Sequence, residues 1–419
     1  MLQATPVTDQ DTAEKDTAEK ETGRRISIGF LNWAHAIDHY VILIYPTAVI
    51  GLVVVYGRSY AELIALSTAS FVAFGLFSLP AGWLADHWSR RNMMAAFYFG
   101  CGASLILTAF STGLVMLAIS LCALGMFAAI YHPVGMAIVI DAATSRGRTL
   151  AFNGVCGNLG AALAAGITAA LISVLGWRGA FLVPAMVCIA TGIAYLYFVP
   201  DDRHRKAGRN AAPDVALPGW TAITIFALFV VVALSAGLVF NTISVALPKI
   251  VDERLGNDIP LIAVGSLATA VFMCGALAQL AVGRLVERFP PHILFAVIAA
   301  LQFAGVVWTA YASGTTLLVA LALTMAAIYG QVTVNDVVIA RYTADAWRGR
   351  IYAVRYFLTF VVSGVAVSAM AFLYDRGGFD LVLAETAIVA LGFVVSVIGI
   401  AILVNGVERE RGRVVAPAE

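Results

Sequence analysis

Long runs of apolar residues alternate with short polar breaks along almost the whole chain. Each run approaches or exceeds the roughly 20 residues with which a helix crosses a bilayer. The pattern predicts helices over 26–55, 61–85, 93–111, 114–141, 148–173 and 179–199, then over 219–249, 260–284, 292–311, 315–341, 350–374 and 382–404. The longest hydrophilic stretch, Asp201 to Asp214, separates the sixth from the seventh. The chain thus divides into a tail (1–25), a six-helix bundle (26–199), a central loop (200–217), a second six-helix bundle (218–404) and a closing tail (405–419). Residues 1–25 contain Asp-Thr-Ala-Glu-Lys twice and are expected to be disordered. They lack the apolar core of a cleavable signal, so the first span is expected to direct its own insertion.

The first helix is interrupted by polar residues from within. Asn32, His35, His39 and Pro46 stand at i, i+3, i+7 and i+14, on one face, with Asp38 at its edge. An Asp at the centre of a membrane helix costs about 2.5–3.5 kcal/mol on insertion scales. Such a face must meet protein or a water-filled cavity. Asp38, with His35 and His39 beside it, could load a proton from one side and release it to the other. The plainer alternative is a structural hydrogen bond, with the histidines satisfied in the core. In the fourth helix, Tyr131 and His132 precede Pro133, about ten residues from the helix end and so near mid-depth. Pro133 frees a backbone carbonyl and bends the helix, and polar groups at a broken helix are a recognised place for substrate. Gln331, Asn335, Asn153, Asn158 and Asn241 are lesser candidates to line the same cleft. Asp336 and Arg355 flank the break between helices ten and eleven at similar distances and can pair. They could close an inner gate, or Arg355 could bind an anionic solute.

Composition places all of this in a membrane. Hydrophobic residues make up 61% of the chain and charged ones 12%, with a mean hydropathy of +0.90. A soluble protein would carry roughly 25% charged residues. The fold class is therefore an all-α polytopic membrane protein. Basic residues are scattered through short loops, which excludes a nucleic-acid face. The five cysteines lie in apolar runs without a CxxC pair, and the histidines form no HExxH, so no metal site, disulfide framework or cofactor is indicated. No GxxxxGK[ST] occurs, which argues against ATP hydrolysis.

Charge also sets the orientation. Of the 26 basic residues, Arg58, Arg178, Lys249, Arg254 and Arg376 fall on one side of the predicted spans. Arg355 lies within a span, and all the others fall on the opposite side with both termini. By the positive-inside rule that side is cytoplasmic, in a bacterial inner membrane.

The two bundles echo each other at a nearly constant offset. Tyr45-Pro46 returns as Leu247-Pro248, Gly82-x-x-x-Asp86 as Gly283-x-x-x-Glu287-Arg288, and Arg146-Gly-Arg148 as Arg348-Gly-Arg350. A duplicated six-helix unit around a cleft is the architecture of many secondary transporters.

Gly82-Trp-Leu-Ala-Asp86-His-Trp-Ser-Arg90-Arg91 resembles the signature loop of the major facilitator superfamily, and Gly283 to Arg288 resembles its weaker second copy. The resemblance runs from about Ile26 to Val404. It implies gating roles for Gly82, Asp86, Arg90, Arg91, Gly283, Glu287 and Arg288. Within the superfamily, His35-x-x-Asp38 with Ile44-Tyr45-Pro46, and Tyr131-His132-Pro133 with Gly157-Asn158-Leu-Gly160, look like the fosmidomycin-resistance type of exporter. Ala164-Ala165 stand where proton antiporters of the superfamily usually carry Gly-Pro, which counts against antiport. The expected function is a monomeric secondary transporter of a small organic solute. It would work by alternating access in the lipid bilayer, coupled to protons, with export slightly favoured. Uptake of a small organic anion with a proton is the first rival. A membrane enzyme would need a catalytic constellation, and a sensor or scaffold would show no flux.

Overall fold

The computed structural model describes residues 9–143, 146–200, 219–255, 259–342 and 345–415. The first half contains α1 (Asp9–Tyr56), α2 (Tyr60–Leu66), α3 (Thr68–His87), α4 (Arg90–Ala109), α5 (Leu114–Ala128), α6 (Met136–Ala142) and α7 (Arg146–Phe198). The second contains α8 (Gly219–Arg254), α9 (Leu261–Leu285), α10 (Pro291–Tyr311), α11 (Gly314–Tyr342) and α12 (Asp345–Val415). Among the described residues, 10 helical segments are long and apolar enough to cross a membrane. Two of them, Thr149–Phe198 with 50 residues and Phe357–Val407 with 51, are long enough to cross twice. A straight helix of that length would span about 75 Å at 1.5 Å per residue, far beyond a 30 Å hydrocarbon core. Each breaks at glycine: Gly176 has φ 73°, and Gly378, after Gly377, has φ 58°. Those left-handed backbones suit a residue without Cβ. Counted across these breaks, the twelve predicted spans are all present.

The tail read as disordered differs from expectation. From Asp9 it is helical and continuous with the first span. Ala, Glu and Lys are strong helix formers, and Arg25 pairs with Glu21 one turn back at 2.7 Å. Residues 1–8 and the central 201–218 lie outside the described residues.

Glycines set the tightest helix contacts. A Cβ at Gly160 would stand 2.0 Å from the Ala36 carbonyl oxygen, and one at Gly125 1.9 Å from that of Ser70. Small residues bring membrane helices together in this way. Gly160 thus presses α7 onto α1 beside His35. Gly160→Ala is expected to destabilise the protein by about 1–3 kcal/mol, since backbone must move. A lowered unfolding temperature in detergent would show it, and an unchanged one would refute the contact.

The halves meet along α3 and α12 and along α7 and α9. Ser368 Oγ donates to Thr68 Oγ1 at 3.1 Å, and the Gly166 amide donates to Thr269 Oγ1 at 3.0 Å. Asn158 donates to Gln279 across the same α7–α9 seam. At one end, the Tyr60 ring packs on Tyr374 at 4.9 Å and Phe379 at 6.4 Å, with Lys249 Nζ 5.6 Å above it. At the opposite end the ties of the first half, among the described residues, are internal. Arg90 bonds Asp86 at 3.0 Å and Asp141 at 2.7 Å, and Arg91 donates to the carbonyls of Val199 and Leu196.

Candidate functional site

The polar face of α1 meets the broken fourth span. That span is interrupted by a π-turn, Tyr131–Gly135, which contains Pro133. Proline cannot donate its backbone bond, and π-turns within helices concentrate at functional sites. Opposite Pro133 stands Gly82 of α3, where a Cβ would lie 3.2 Å from the Pro133 Cβ. The signature glycine therefore permits close approach to the bend itself. Gly283, its counterpart, has nothing among the described residues within 4 Å of its Cβ position. The second copy thus matches in sequence and differs in packing. There, His292 Nε2 lies 2.9 Å from Asn405 Oδ1, while Glu287 and Arg288 follow the end of α9.

Asp38 is 1% exposed, and its Oδ2 lies 3.3 Å from His132 Nε2. Its Oδ1 is buried without a hydrogen-bond partner. His132 is 17% exposed. His35 Nδ1 faces the Asn153 main-chain oxygen at 2.8 Å and its Oδ1 at 2.9 Å. Both are oxygens, so the ring donates through Nδ1 and carries its lone pair at Nε2. Tyr131 donates to the same Oδ1 at 3.0 Å, and Asn153 Nδ2 donates to Asn32 Oδ1 at 3.0 Å. The His35 ring lies 4.7 Å from Tyr131, 5.0 Å from His39 and 5.5 Å from His132, and His39 lies 5.7 Å from His132. One nitrogen from each histidine lies within 4.8 Å of the other two. Gly157 makes room for this: a Cβ there would stand 2.5 Å from His35 Nε2.

Asn32, His35, Asp38, His39, Tyr131 and His132 are thus brought together, with Asn153 as the fully buried hub. Asn158 lies in the α7–α9 seam instead. Asn241 donates to Gly237 of its own helix at 2.8 Å. Gln331 and Asn335 are buried, each with an unpaired oxygen. Asp336 lies on α11, while the side chain of Arg355 lies outside the described residues, so the expected pair is not visible. Sequence reasoning missed Asp141. Its signal was an acid at the very end of the fourth predicted span, on the same side as the Arg90 loop.

Residues 28–330 match the family model for the Major Facilitator Superfamily. The chain belongs to the major facilitator superfamily. Its apolar spans are those of an integral membrane protein, and the family sets it among transporters rather than enzymes. Among curated proteins, it is 25% identical over 150 residues to a "Probable L-galactonate transporter" of Escherichia coli (strain K12). That match takes in 35% of this chain and spans 33% of the relative's length. The fold is similar to two crystal structures of a bacterial homolog to the human lysosomal transporter Spinster. The inward-facing, unoccupied one has 13% identity and a TM-score of 0.67. The inward-facing, occupied one has 12% identity and a TM-score of 0.70. Each comparison covers 91% of this chain and 94% of the other.

Proposed function

We propose that this superfamily member exports a small organic solute in exchange for protons, with Asp38 as the coupling group and His35 and His39 as its neighbours. One observation carries the reading. Asp38 is a nearly inaccessible carboxylate with one unpaired oxygen and the other against a histidine on a π-turn. Proton relays in transporters use intramembrane Asp, Glu and His. Asn32, Tyr131 and His132 form the adjoining solute wall, and Asn158, Asn241, Gln331 and Arg355 complete it from elsewhere. The gating groups are Gly82, Asp86, Arg90 and Arg91 with Gly283, Glu287, Arg288 and Asp336. The aromatic contacts of Tyr60 with Tyr374 and Phe379 join the halves at one end, which supports an arrangement closed on that side. By charge that side is the outside of a bacterial inner membrane, with both termini cytoplasmic. The working unit is a monomer.

Uptake of a small organic anion together with a proton is the second reading. The name of the curated relative favours it, since galactonate is such an anion. Flux in oriented vesicles separates the two. Inverted vesicles energised acid-inside are expected to accumulate solute as protons leave. Accumulation only in right-side-out vesicles energised acid-outside would establish uptake instead.

A further inference from the structure

We propose that His35, His39 and His132 form a binding site for a divalent transition-metal ion of the zinc class. The sequence indicated no metal, because these histidines follow no short ligand spacing and meet only in the folded chain. One ring nitrogen from each lies within 4.8 Å of the other two. Nitrogens of a tetrahedral zinc site stand roughly 3.4 Å apart, at about 2.0–2.1 Å from the ion. The closure needed falls on ring rotations and on a π-turn that already departs from regular helix.

Three further features fit a metal. Imidazole suits zinc, copper and nickel, whereas calcium and magnesium take oxygen ligands. Metal-bound histidines are commonly held through their other nitrogen by a carbonyl or carboxylate. His35 Nδ1 is held by the Asn153 carbonyl at 2.8 Å, and His132 Nε2 lies 3.3 Å from the Asp38 carboxylate. Asp38 Oδ1, buried and unpaired, supplies negative charge beside the cluster. A bound ion would tie α1 to the π-turn.

Zinc titration of the purified full-length chain by calorimetry tests this. The chain is freed of any affinity tag, stripped with chelator and kept in detergent. One zinc per chain is expected to bind saturably. His39→Gln and His132→Gln are each expected to weaken binding at least about tenfold, as loss of a ligand or its support does. His87→Gln, which alters an exposed histidine stacked on Trp83, is expected to bind as the unaltered chain does. Should the Gln variants fail to fold, cobalt substituted into the unaltered chain decides by its visible spectrum. Tetrahedral imidazole coordination supports the site, and the spectrum of the aqueous ion overturns it. Absence of saturable zinc binding, or binding in both Gln variants as tight as in the unaltered chain, also overturns it. Binding is read at equilibrium without flux, so either result leaves the transport reading to its own test.

Discussion

Asp38→Asn is expected to abolish solute accumulation driven by a pH gradient while solute exchange between two equal pools survives. Asparagine keeps the size of the side chain and can still bond His132, 3.3 Å from the carboxylate oxygen. What it loses is the ability to take up and release a proton. Truncation to alanine would leave a buried group without its partner, at about 1–3 kcal/mol, whereas the amide oxygen keeps an acceptor there. The variant should therefore fold, and loss of coupling can be separated from loss of protein. The readout is labelled solute in proteoliposomes, first with an imposed gradient and then in counterflow without one. Persistence of gradient-driven accumulation would make Asp38 a structural residue. Loss of both activities, with a normal unfolding temperature, would place it on the solute itself.

The fold was legible because apolar run lengths in a membrane leave few choices: every backbone polar group must be satisfied within the span. Even the breaks that join two spans into one continuous segment fell where the pattern put them, at Gly176 and Gly377–Gly378. The first face of the site was legible for a similar reason, since polar residues at helical spacing in an apolar run need a covered side. Asn32 and His35 do share one partner, Asn153. Tertiary packing supplied what spacing could not. The contact of His132 with Asp38 depends on the π-turn, and the position of His35 depends on Gly157 and Gly160 letting α7 approach α1. The helical tail was misread because its charge suggested disorder, while its Glu21–Arg25 spacing and alanines favour helix. Asn158 illustrates a contact that spacing could not give. Its polarity suggested a cleft, and it is used to join the halves.

Asn153→Leu is expected to collapse the histidine cluster and to destabilise the first half. Asn153 is fully buried, and its side chain serves Tyr131, Asn32 and His35 together. Leucine is close in size but offers neither acceptor nor donor. His35 would keep the main-chain oxygen at 2.8 Å, whereas the Tyr131 hydroxyl and the Asn32 amide oxygen would lose these bonds. Each buried group left unsatisfied costs about 1–3 kcal/mol, so the pair implies about 2–6 kcal/mol. Thermal unfolding in detergent should register this as a clear drop, with flux falling to background. Removing the stranded partner should restore part of the loss, because replacing both ends of a buried bond by apolar groups can be nearly neutral. Tyr131→Phe combined with Asn153→Leu should therefore be more stable than the two separate losses predict when added. Strict additivity of the two would mean that Tyr131 and Asn153 do not depend on each other, and an unaltered unfolding temperature in Asn153→Leu would remove Asn153 as the hub of the site.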